Sequence, residues 1–148
     1  MTPRPAGFEL DPRLAADTRP VARLALCEAR LMDDARFPWL VLVPRRPALV
    51  EIADLAEADQ RTLWLEVNRA AAALRATAAC DKINIGALGN IVRQLHVHVV
   101  ARREGDEAWP GPVWGHGRAQ RYAHDPCERL IECLHASITA PRPVTPAT

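Results

Sequence analysis

The stretch RQLHVHVVAR, Arg93 to Arg102, alternates strictly between polar and apolar side chains over Gln94 to Val99. Successive side chains of a β-strand point to opposite faces. Read as a strand, this segment puts Gln94, His96 and His98 on one face. Leu95, Val97 and Val99 then share the other, free to pack against a helix. A chain built around such a strand needs a sheet with one apolar and one functional or solvated face, which antiparallel sheets allow.

The helix to cover it lies upstream. Ala56 to Ala79, AEADQRTLWLEVNRAAAALRATAA, carries apolar residues at Leu63, Val67, Ala70, Ala71 and Leu74, the three- and four-residue spacing of a long amphipathic helix. RLALCEARLM, from Arg23, and WLVLVP, bounded by Pro38 and Pro44, read as strands joined by the turn signal DDARFP, hence a hairpin. DKINIG is a further short strand. FELDPRLAADTRPVARL reads as a short strand or extended arm followed by a turn-rich link. DPCERLIECLHASI reads as a C-terminal helix with Asp125 at the N-cap and Pro126 at the first helical position. The order of elements predicts an α+β domain with an antiparallel sheet and helices against it. The 148 residues suit one domain, taken as 1–140, with 141–148 a loose tail.

Composition narrows the function classes. The net charge of +1 and the scattered arginines lack the clustered basic face of a nucleic-acid binder. No apolar run approaches a membrane span, and the N-terminus lacks a hydrophobic signal core, so a soluble cytoplasmic protein is expected. The cysteines at 27, 80, 127 and 133 have no CxxC spacing and read as buried apolar residues or free thiols.

Two histidines on one strand face admit more than one chemistry. They are often no more than hydrogen-bonded structural residues. They could ligate a metal together with Glu104 or His116. One could be a nucleophile toward phosphorus with the other beside it. The preceding NIGALGNIVR favours the last. Its glycines let backbone N–H groups turn toward an anion, Asn84 and Asn90 add side-chain donors, and Arg93 adds charge.

NIGALGNIVRQLHVHVVAR resembles the signature of the histidine-triad nucleotide hydrolases and transferases, His-φ-His-φ-His-φ-φ (φ apolar) after an Asn and a Gly-rich phosphate loop. The resemblance runs back through the long helix to the hairpin ARLMDDARFPWLVLVPRR and covers most of residues 22 to 103. It implies a five-stranded antiparallel sheet with one long central helix and a C-terminal helix, usually in a homodimer. It also implies cleavage at the α-phosphorus of a nucleotide, with no metal and no cofactor required. By position, His96 is the implied nucleophile and His98 the contact to phosphate and leaving group. Gly89 and Asn90 belong to the phosphate loop, Asn84 is the loop asparagine, and Asp33 is the best match to the residue that holds the ribose hydroxyls.

The chain departs from the pattern at three places. Gln94 replaces the first histidine, Trp39 replaces a histidine of the hairpin, and Ile91 stands where a serine is frequent. The nucleophile remains, so turnover is expected. A nucleotide-binding regulatory protein and a metal-binding HxH protein stay open as alternatives. Gln94 and Trp39 are read as one coupled change, the Gln94 carbonyl accepting from the Trp39 N–H. The apolar AWPGPVWG is read as placing Trp109 or Trp114 near a partner subunit or the pocket.

Overall fold

A computed structural model describes residues 7–142. The elements run α1 (Pro12–Asp17), β1 (Thr18–Arg23), β2 (Cys27–Met32), β3 (Trp39–Pro44), α2 (Glu57–Thr77), β4 (Lys82–Gly86), β5 (Val97–Arg102) and α3 (His124–Thr139). The five strands form one antiparallel sheet in the order β1-β2-β3-β5-β4. The fold is α+β, with one long helix and a C-terminal helix, as expected. Of the expected loose tail, 141–148, residues 141 and 142 are described and lie outside any helix or strand, and 143–148 lie outside the described residues.

The alternation in β5 divides the two sides of the sheet. Val97, Val99 and Ala101 face the helices and join Leu63, Val67, Ala70 and Leu74 of α2 and Leu134 and Ile138 of α3 in the main core. His98 and Val100 point the other way. There Trp39, Val41 and Val43 of β3 pack with Leu14 of α1, Phe37, Ala108 and Val113 in a second cluster. This face is covered by short segments rather than long helices, which leaves room for a cavity. Glu66 of α2 binds the helices to the sheet: its carboxylate accepts from the backbone N–H groups of Leu26 and Cys27, both at 2.8 Å.

Three local expectations are corrected. Residues 12–23 are not a link but α1 and the edge strand β1. Asp11 caps α1 through its carboxylate on the Arg13 N–H, and proline follows at the first helical position, where its missing donor costs nothing. The polar–apolar run continues through Gln94–His96, but strand pairing begins only at Val97, so Gln94 and His96 belong to the loop that enters β5. The C-terminal helix starts at His124 with Ala123 at its N-cap, so Asp125 and Pro126 lie inside the first turn, where proline is tolerated.

Candidate active site

His96, the last residue of the loop before β5, and His98, at the start of β5, have their rings 4.8 Å apart, edge to face. They line a cavity of about 460 Å³ together with Gly89, Asn90 and Ile91 of the loop before β5, Leu14 and Asp17 of α1, Met32, Trp39 and Trp114. The loop turns at Gly89, whose φ of +68° is left-handed and favours glycine. Gly86, the cross-strand partner of His98, lets the Trp114 ring pack close; a Cβ there would meet that ring at 3.1 Å.

The two imidazoles are fixed in opposite tautomers by what each Nδ1 touches. The His96 Nδ1 lies 2.6 Å from the carbonyl oxygen of Gln94. A carbonyl only accepts, so this nitrogen carries a proton, and in the neutral ring Nε2 carries the lone pair. The His98 Nδ1 instead accepts from the indole N–H of Trp39 at 3.0 Å. An indole N–H only donates, so the proton of His98 resides on Nε2. Burial, with a smaller contribution from neighbouring His96, pushes the His98 pKa down to about 3. The ring is therefore neutral across the physiological range. Trp39 and Trp114 both meet it edge to face, at 5.5 and 5.7 Å between ring centres.

The residues expected at the site do not all converge. His96, His98, Gly89 and Asn90 surround the cavity. Arg93 is exposed and lines a smaller cavity of about 90 Å³ across the loop, which also touches His96 and Asn90. The Asn84 side chain accepts from the guanidinium of Arg102 at 2.8 Å. The Asp33 carboxylate binds Arg121 at 2.9 Å and the Tyr122 N–H at 2.9 Å, and it lines an adjoining cavity of about 300 Å³. That cavity shares Asp17, Met32, Trp39 and Gly115 with the histidine cavity.

The expected Gln94–Trp39 pairing is corrected. The Gln94 amide reaches the N-terminal arm, accepting from the Asp11 N–H at 2.8 Å and donating to the Glu9 carbonyl at 2.7 Å. Trp39 is coupled to His98 instead. The two are diagonal neighbours on one sheet face, since Trp39 pairs with Val100 and Val41 with His98. Among the described residues, no group of three His, Cys, Asp or Glu side chains could hold a metal ion, so neither Glu104 nor His116 completes a triad of ligands with the histidines.

Of Trp109 and Trp114, one of which was expected near a partner subunit or the pocket, Trp114 lines the cavity, whereas Leu14 and Asp17 were not anticipated there. The signal was present in Asp11-Pro12, the same cap-and-proline signature applied to the C-terminal helix.

The sequence profile of the HIT domain matches residues 13–105. The chain is 50% identical to a histidine triad (HIT) protein from Sinorhizobium meliloti 1021 of known crystal structure, with a TM-score of 0.86 over 88% of this chain and 96% of that one. A histidine triad protein from Bradyrhizobium japonicum gives 45% identity and a TM-score of 0.87 over 90% and 99% of the two chains. One from Marinobacter aquaeolei VT8 gives 38% identity and 0.87 over 90% and 97%. No curated protein matches.

Proposed function

From a chain that belongs to the HIT domain family, we propose a nucleotidyl hydrolase or transferase that cleaves at the α-phosphorus of a nucleotide derivative through a nucleotidyl-histidine intermediate on His96. The observation that carries this reading is the pair of opposite tautomers. In its neutral ring His96 keeps the proton on Nδ1 and turns the Nε2 lone pair, the atom required of a nucleophile, away from the Gln94 carbonyl. His98 offers an Nε2–H donor 4.8 Å away, ring centre to ring centre.

In the proposed first step the His96 Nε2 lone pair forms the N–P bond as the bond to the leaving group breaks. The imidazole becomes cationic, and its Nδ1–H keeps the Gln94 carbonyl as acceptor. The His98 Nε2–H, the Asn90 side chain and the backbone N–H groups of the glycine loop stabilise charge on the phosphoryl oxygens. Catalysis of phosphoryl transfer resides largely in such preset donors. Water or another acceptor then attacks phosphorus, and the N–P electron pair returns to His96.

The substrate is a nucleotide-type small molecule such as a dinucleoside polyphosphate or a nucleoside phosphoramidate. No step in the scheme is assigned to a metal, so turnover is expected to survive EDTA. Rapid quenching with substrate, followed by peptide mass spectrometry, should find the nucleotidyl adduct on His96. His96→Ala should abolish both adduct and turnover while nucleotide binding persists. Nucleotide binding by the wild-type protein with no adduct and no turnover would favour a regulatory binding protein instead.

A further inference from the structure

We propose that Trp39 fixes His98 as a neutral hydrogen-bond donor, and that the site therefore favours nucleotides whose leaving group departs as a stable anion over those whose leaving group needs a proton. The favoured class comprises phosphoanhydrides and acyl-phosphate anhydrides, and the disfavoured class comprises nucleoside phosphoramidates with alkylamine leaving groups. The inference deepens the nucleotidyl-transfer reading and rests on it.

The Trp39 indole N–H points at the His98 Nδ1 from 3.0 Å. An imidazolium carries hydrogen on both nitrogens, so protonating His98 would set two N–H groups against each other and break this bond. The ring is also buried, 6% exposed, where a charge is costly. As a neutral ring, His98 can give a hydrogen bond from Nε2 but not the proton itself, since that would leave an imidazolate.

The neighbouring groups offer no substitute acid. His96 has its Nδ1–H on the Gln94 carbonyl and its Nε2 committed to phosphorus. Across the strands, His98 faces Val41 and Gly86. Trp114 and Met32 do not transfer protons. The remaining ionisable side chain of the cavity is the exposed Asp17, and an ionised carboxylate only accepts.

The two substrate classes differ in what this lack of acid costs. When His96 attacks an anhydride, the P–O bond breaks and its electron pair leaves on the oxygen of a phosphate or carboxylate, stable without a proton. When it attacks a phosphoramidate, the P–N bond breaks and the pair would leave on an amide nitrogen, which must be protonated as it departs. General acid catalysis of such a departure contributes roughly 10²–10⁴-fold where an acid is available. In the hydrolytic step, water forms the new P–O bond, the N–P pair returns to Nε2, and the water proton passes to solvent.

The test compares His96 adduct formation from a dinucleoside polyphosphate and from an alkyl phosphoramidate of the same nucleoside, in single turnovers of the wild-type protein and of Trp39→Phe. Phenylalanine keeps an aromatic fill and removes the donor, so the His98 Nδ1 can take a proton. Wild-type protein should form the adduct at least about a hundredfold faster from the anhydride. Trp39→Phe should raise the phosphoramidate rate relative to the anhydride rate by about tenfold or more, increasingly so from pH 7 to pH 5. Equal wild-type rates, or an unchanged ratio in the variant, would overturn the proposal. No adduct from either substrate would instead remove the nucleotidyl-transfer reading beneath it. Should Trp39→Phe not fold, nitrogen-15 NMR of the wild-type protein decides. A neutral His98 protonated on Nε2 at pH 5 is expected, and an imidazolium there would overturn the proposal.

Discussion

Gln94 holds Asp11: the Gln94 Oε1 accepts from the Asp11 backbone N–H at 2.8 Å, across 83 residues of sequence. Its NH₂ donates to the Glu9 carbonyl at 2.7 Å, and Arg13 reaches the Ile91 carbonyl at 3.0 Å. The first position of the alternating motif thus ties the arm and α1 to the site loop, and α1 supplies Leu14 and Asp17 to the cavity wall.

Gln94→Ala is therefore expected to loosen the arm more than the chemistry. Losing two hydrogen bonds should cost about 1–2 kcal/mol of stability. Amides of residues 9–13 should exchange faster by mass spectrometry. The rate of adduct formation should fall by less than about tenfold. A loss of a thousandfold, with the arm still protected, would mean that Gln94 acts on the reacting groups.

The pH dependence of stability follows from His98. Its folded pKa is lowered to about 3, from an ordinary 6.5. Between those values the unfolded chain takes up a proton that the native ring refuses, so stability falls as pH drops below about 6.5 and the loss is complete near pH 3. From pH 6.5 to 5 the loss should be on the order of 2 kcal/mol. Urea titrations across that interval will measure it, above the range in which carboxylates such as Asp106, held down to about 2 chiefly by the Arg102 guanidinium, titrate. His98→Asn should flatten the slope.

The alternation of β5 was legible because burial enforces it: the same period that sends Val97 and Val99 to the helices sends His98 to the cavity. The long helix and the hairpin were legible for the same reason. β1 was not, because an edge strand holding Arg19, Pro20 and Arg23 lacks an apolar pattern, and its pairing with β2 slips between Pro20 and Ala22. α1, at six residues, is too short to show a helical period. The partner choices of Trp39, Gln94 and Asn84 were not legible, since each is decided by register or by chain crossing 18 to 85 residues away. Local sequence names the donors and acceptors; only the sheet decides which meet.

Arg102 gives one such case. Its side chain is buried, with two nitrogens on Asp106 at 2.8 and 2.9 Å and the third on Asn84 at 2.8 Å. Phe37 and Trp109 lie beside the guanidinium, 5.8 and 5.6 Å from ring centre. Asp106→Ala leaves a buried charge without its counterion and should cost about 3–5 kcal/mol by chemical denaturation. Asn84→Ala should cost about 1–3 kcal/mol and leave KM of the folded protein unchanged. A several-fold rise in KM would restore Asn84 to the phosphate site.

The sheet has two edges, and they are guarded unequally. β1 carries a proline and two arginines, features that discourage pairing with another chain. β4 ends the other side with Ile85 exposed at 44%, followed by Leu88 at 44% in the loop. An apolar residue on an open edge is the pattern a second copy would cover, so the homodimer that the family resemblance implies is expected to meet at β4. Trp114 is committed to the cavity and Trp109 to Arg102, which leaves β4 the better candidate. Sedimentation at micromolar concentration should give a dimer. Ile85→Lys, a charge of the kind that protects natural edges, should give a monomer with unchanged far-ultraviolet circular dichroism. A wild-type protein that sediments as a monomer would remove the homodimer, and a dimer that survives Ile85→Lys would move the contact away from β4.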